Sequence, residues 1–172
     1  MQKDVRKFGI SDKRGRQNTS RDPYRDEAGL KEPALCRECG ALYRNKRWVL
    51  NPEEVDAVRK DPCLTSVICP ACRKIRDGYA EGFVTLQGDY LWRREGEIRN
   101  LIRNEELRAM EKNPLERIIG MDVSADTLKI ETTEEKLAEH LGRALHKAHQ
   151  GELNVTWSDD HAVCRVEWRR DD

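Results

Sequence analysis

Four of the chain's six cysteines fall into two pairs, Cys36-Arg-Glu-Cys39 and Cys69-Pro-Ala-Cys72, which together read C-x2-C-x29-C-x2-C. A tight turn at each pair can aim two sulfurs at one point, and two such turns supply the four thiolates of a tetrahedral structural Zn2+. Gly40, directly after the first pair, permits the positive φ that such a turn asks for. Pro70 fixes φ inside the second pair, where no ladder bond is available. One CxxC alone could be a thiol–disulfide couple, but that use wants a βαβ setting, which neither pair has. The 29-residue spacer exceeds the ~15–20 residues of common zinc spacings, so the intervening segment must hold structure of its own. A closed site of four cysteines, Cys36, Cys39, Cys69 and Cys72, serves a scaffold more readily than a reaction.

Cationic and aromatic residues cluster beside both pairs. Arg37, Arg44, Lys46, Arg47 and Trp48 lie in or after the first, and Arg73, Lys74, Arg76 and Tyr79 follow the second. A metal would hold the two stretches side by side. Guanidinium and ammonium groups next to stackable rings are the composition of an RNA-binding surface. The plain alternative is a solvated face whose Trp and Tyr belong to the core.

The remaining reactive residues read as structural. Cys63 and Cys164 have no CxxC partner and are expected as small buried hydrophobes. His140, His146 and His149 share one helical segment without a recognisable partner set, and are expected to face solvent. No Gly-rich phosphate loop, G-x-S-x-G or H-E-x-x-H motif is present, so no enzyme is expected.

These residues must be positioned by a small scaffold. Hydrophobic and charged residues each make up 37% of the chain, which favours small cores that a metal reinforces. The net charge is zero but uneven: +3 over residues 1–33, +2 over 34–113 and −5 over 114–172. The first segment is polar and basic. It reads as a solvated tail, or as an arm in which Lys13, Arg14, Arg16 and Arg21 meet phosphates.

Ala41–Leu50 suggests short strands with a turn near Asn45. Asn51-Pro52-Glu53-Glu54 opens a helix with Asn51 as N-cap, Val55 and Val58 turned inward and Pro62 beyond. A helical turn is expected over Arg73–Tyr79, as in treble-clef sites, then a strand over Gly82–Leu86. A charged helix with an Ile98, Leu101, Ile102 stripe runs to Lys112 as an exposed connector. Two strands, a helix opened by a Thr132/Glu135 capping box, and two further strands complete the chain. No run approaches a membrane span or the apolar core of a signal peptide. Thiols without an export signal place the chain in the cytoplasm.

Cys69-Pro-Ala-Cys72, Ile75-Arg76, Gly78-Tyr79-Ala80-Glu81, Leu86 and Gly88, with Gly120-Met121-Asp122 and the strand around Arg165, resemble the ribosomal large-subunit export adapters. These are the nonsense-mediated-decay adapters and their archaeal relatives. The similarity runs from about residue 34 to the C-terminus. Ala80, Thr85 and Gln87 stand where the family has Tyr, Gln and Arg, and the longer members carry more ligand cysteines, further domains and a nuclear export signal. The resemblance implies a zinc-dependent binder of ribosomal RNA or the large ribosomal subunit, in a short prokaryotic form.

The expected organisation is α+β: a disordered basic tail (1–33) and a four-cysteine zinc-ribbon or treble-clef-like module (34–90). A connecting helix (91–113) then leads to a ββαββ-type α+β unit (114–172). The expected function is zinc-stabilised RNA binding. The acidic unit faces a protein partner or solvent, and no membrane or small-molecule substrate is expected. The competing reading is a protein–protein adaptor whose zinc is purely structural.

Overall fold

Backbone pairing sorts the strands into two mixed sheets, the first with two small hydrophobic clusters and the second with one larger core, in the computed structural model, which describes Pro23, Tyr24 and residues 29–172. The tail expected over 1–33 lies outside the described residues except for Pro23, Tyr24 and Gly29–Pro33. The protein is α+β, with five α-helices among the described residues.

The first sheet contains β1 (Ala34–Cys36), β2 (Leu42–Arg44), β3 (Arg47–Val49) and β4 (Thr65–Val67), in the order β3-β2-β1-β4. β2 and β3 form a hairpin whose turn residues Asn45 and Lys46 have φ of 53° and 60°. Two left-handed residues in a row suit the right-handed twist of the flanking strands. The Glu32 carboxylate accepts both turn amides, from Asn45 N at 2.8 Å and Lys46 N at 2.9 Å. Helix α1 (Pro52–Val58) begins as expected, with Asn51 Oδ1 accepting from Glu53 N at 3.0 Å. It buries Val55 and Val58 against Leu42.

The second sheet runs β6 (Ile118–Ser124), β7 (Thr127–Thr132), β5 (Gly82–Gln87), β9 (Cys164–Arg169), β8 (Glu152–Trp157) in spatial order. Helix α2 (Pro70–Asp77) precedes it. Helices α3 (Asp89–Arg93), α4 (Glu95–Lys112) and α5 (Glu135–His149) supply its core with Leu91, Ile98, Ile102, Leu137, Leu141 and Leu145. These meet Val84, Leu86, Leu128, Ile130, Val166 and Trp168 from the strands. Each such aliphatic side chain contributes about 1.5–3 kcal/mol on burial. Gly142 lets α5 lie directly on the sheet, because a Cβ there would stand 2.4 Å from Val166 Cγ1 and 3.1 Å from Leu153 Cδ1.

Four expectations change. Strand 82–87 does not belong to the cysteine module; it is the middle strand of the second sheet, antiparallel to β7 and parallel to β9. The helix over 91–113 is no exposed connector. It is two helices, and α4 buries Ile98, Ile102 and Ala109 in the second core, while Leu107, out of phase, is exposed. The capping box does not form: Thr132 ends β7 with its hydroxyl donating to Glu134 O at 2.7 Å, and Glu134 is the α5 N-cap. Cys63 is exposed, whereas Cys164 is buried as expected. No helix among the described residues is long and apolar enough to cross a membrane.

Candidate metal centre

The register of the first sheet assembles the cysteines. β1 runs parallel to β4 with Cys36 opposite Val67, so both strands deliver a turn to the same end of the sheet. After β1 the chain folds back: Gly40 N donates to Cys36 O at 2.9 Å, and Gly40 takes a φ of 78°. After β4 it passes directly into α2, whose N-cap is Cys69 and whose first turn holds Pro70 and Cys72. Arg37 N donates to Val67 O at 2.9 Å and ties the two turns together.

The four sulfurs lie within 4.8 Å of one another and could hold a metal ion. Across the turns, Cys36 Sγ is 3.9 Å from Cys72 Sγ, and Cys39 Sγ is 3.7 Å from Cys69 Sγ. A tetrahedron of thiolates about 2.3 Å from one ion has edges of about 3.8 Å, so the donors fit a tetrahedral site. Backbone amides support the sulfurs, with Cys69 N donating to Cys36 Sγ at 3.3 Å and Cys72 N to Cys69 Sγ at 3.4 Å. Ala41, Ala71 and Trp48 are buried around them, joined by Tyr43, Ile68 and Leu115.

Crowding shapes the thiol acidities. Hydrogen bonding from Cys69 lowers Cys39 to about 5. The same contact, then burial, drives Cys69 far up, and burial above all raises Cys72 to about 12. Cys69 and Cys72 thus resist ionisation beside a Cys39 thiolate, and a cation among the sulfurs would offset that resistance.

The expected cationic residues separate into two groups. Arg37, Arg44, Lys46 and Arg47 are exposed, the last three around the β2–β3 turn, with Arg44 directly across from Arg47. None of the four has an ion pair among the described residues, whereas Arg59, Arg94, Arg99, Arg108 and Arg143 each pair with an acid along their own helix. Arg76 is exposed and bonds Asp77 at 3.3 Å.

Two expected contacts are excluded. Trp48 is only 8% exposed and packs on Tyr43, ring centroids 5.2 Å apart, so it is core. Lys74 is 0% exposed. Its Nζ meets Glu81 Oε1 at 3.0 Å, Glu134 Oε1 at 3.2 Å and Thr133 O at 3.2 Å.

Tyr79 keeps an exposed ring with Tyr24 against it, centroids 5.0 Å apart. Tyr24 donates to Asp77 Oδ2 at 2.8 Å and accepts at its carbonyl from Arg73 Nη2 at 2.9 Å. Sequence reasoning missed this contact, although Tyr24 and Phe8 are the only aromatic residues before Pro33. The histidines differ: His140 bonds Glu105 at 2.6 Å on the surface, His146 is exposed, and His149 is half-buried against Tyr90.

Comparison with known proteins brings no family to this arrangement: no family model, no curated protein and no solved structure matches the chain.

Proposed function

We propose that the four cysteines hold Zn2+ as a structural ion and that the module closed around it binds structured RNA. Four thiolates at tetrahedral spacing, three of them from buried cysteines, suit a soft cation with no open position, which supports a scaffold rather than an enzyme. The ion would supply folding free energy to a module whose strands are three residues long.

The observation that carries the RNA reading is the hairpin. Arg44 and Arg47 face each other in register with Lys46 at the turn between them, and no acid pairs with their side chains among the described residues. Like charges directly across a strand pair destabilise it, and a polyanion relieves that repulsion. The tip stands about 10 Å, one short strand, from the sulfurs, and Arg37 lies in the metal turn itself. With Trp48 and Lys74 buried, recognition rests on phosphate contacts, and Tyr79 is the one ring of the expected set left at the surface. The adapter resemblance makes ribosomal RNA or the large ribosomal subunit the RNA we favour, in the cytoplasm, with the acidic second unit turned to a protein partner.

Elemental analysis of purified protein should return one zinc per chain. Fluorescence anisotropy with a structured ribosomal RNA fragment should give affinity that falls with salt. The Arg44→Ala/Lys46→Ala/Arg47→Ala variant should keep its zinc, bind more weakly and lose about two to three units of log–log salt slope, at ~0.7–0.9 per phosphate contact. Wild-type protein that ignores RNA, or a flat salt response, would favour the adaptor reading.

A further inference from the structure

Lys74 is a fully buried ammonium, and it stands on the helix that begins at two metal-ligand positions. Cys69 caps α2, Cys72 lies in its first turn, and Lys74 follows two residues later. The ammonium reaches out of the cysteine module into the second unit, where Glu81 and Glu134 flank it and Thr133 O accepts from it.

The same junction gathers the starts of three second-unit elements. Glu81 N donates to Thr132 O at 3.0 Å just before β5. Glu134 is the N-cap of α5. The Thr133 hydroxyl donates to Leu115 O and accepts from Arg117 N at 2.9 Å just before β6. Leu115 in turn packs on the cysteine cluster.

We propose that the cysteine centre is regulatory as well as structural: occupancy by a soft divalent cation determines, through α2 and Lys74, whether the two units are docked. This rests on the metal reading above. An eight-residue helix does not persist alone in water, so α2 keeps its place through the ion at its N-terminus and Lys74 near its end. Release of the ion frees the first turn and withdraws Lys74. Glu81 and Glu134, both mostly buried at the seam, then lose the ammonium that they share, and breaking a largely buried pair is unfavourable. The linkage is reciprocal: whatever docking gains from the metal, metal binding gains from docking.

The test is hydrogen exchange on full-length protein, zinc-loaded and after chelation. Amides at Glu81–Phe83 and Thr132–Glu135 should exchange about a hundredfold faster without zinc, while Val166–Trp168, inside the second core, stay protected. Lys74→Met, which leaves all four cysteines in place, should weaken zinc affinity at least about tenfold against a chromophoric chelator. In that variant, zinc should no longer slow exchange at the seam. Protein that carries no zinc and takes none up overturns both the metal reading and the coupling. Zinc bound and removed with seam exchange unchanged overturns the coupling alone, as does a folded Lys74→Met protein with wild-type zinc affinity. The wild-type comparison decides the matter if that variant fails to fold.

Discussion

Cys63 and Cys164 are both outside the CxxC pairs, and the fold gives them opposite environments. Cys63 is exposed, while burial pushes the Cys164 thiol up to about 11. Because the thiolate is the reacting form, an alkylating reagent counted by mass spectrometry should modify Cys63 first in metal-loaded protein. Chelation should add the four ligand cysteines, and Cys164 should react only on unfolding.

Glu134 provides a pH signature. Burial, with Glu81 and Glu135 nearby, raises its carboxyl from 4.5 to about 7 despite the opposing pull of Lys74. The folded state therefore holds a proton that the unfolded chain has already lost between about pH 4.5 and 7, and stability falls as pH rises through that window. Glu134→Gln should remove that decline, leaving urea-titration stability flatter than wild type between about pH 4.5 and 8. Equal pH profiles for the two proteins would contradict this environment. The cysteine cluster was legible because C-x2-C is a local pattern. Lys74 was not, because its acid partners lie 7 and 60 residues away and only the tertiary fold unites them.

Among the elements, local signals were read well where one element carries its own chemistry. Asn51-Pro52 marked the start of α1, and alternating strands around the apolar stripe of α5 gave the ββαββ order. The strand 82–87 was recognised, but its sheet was not. Strand periodicity states which side chains share a face, not which partner takes the backbone bonds, and chain proximity to the second CxxC suggested the wrong one. The connector reading of α4 failed for a related reason: its charges line the outer face, while Ile98 and Ile102 answer to a core assembled from residues on both sides of it in the chain.

Two glycines separate propensity from packing. Gly142→Ala gains about 1 kcal/mol of helix propensity, yet drives a methyl against Val166, and overpacking costs about 1–3 kcal/mol. It should be net destabilising by chemical denaturation. Gly96, near the start of α4, has nothing within 4 Å of its missing methyl. Gly96→Ala should stabilise by several tenths of a kcal/mol. The reverse order would mean that α5 does not lie on the sheet as described.

At the scale of the molecule, charge and connectivity divide the chain differently. Charge changes sign near residue 114, whereas the strands of the two sheets part between the end of α2 at Asp77 and the start of β5 at Gly82. The seam between them is polar, and a buried cation bridges it. Because β5 lies between β7 and β9, assembly follows a fixed order as the chain is synthesised. The cysteine module contains all its strands by Asp77 and could bring its four sulfurs together while the chain is still growing. The second core lacks the neighbour on one side of its middle strand until Cys164–Arg169 has emerged. For the length of some eighty residues of translation, the apolar side of β5 must therefore wait beside a neighbour whose strands are all already made. In that interval Lys74 has Glu81 for company well before Glu134 arrives.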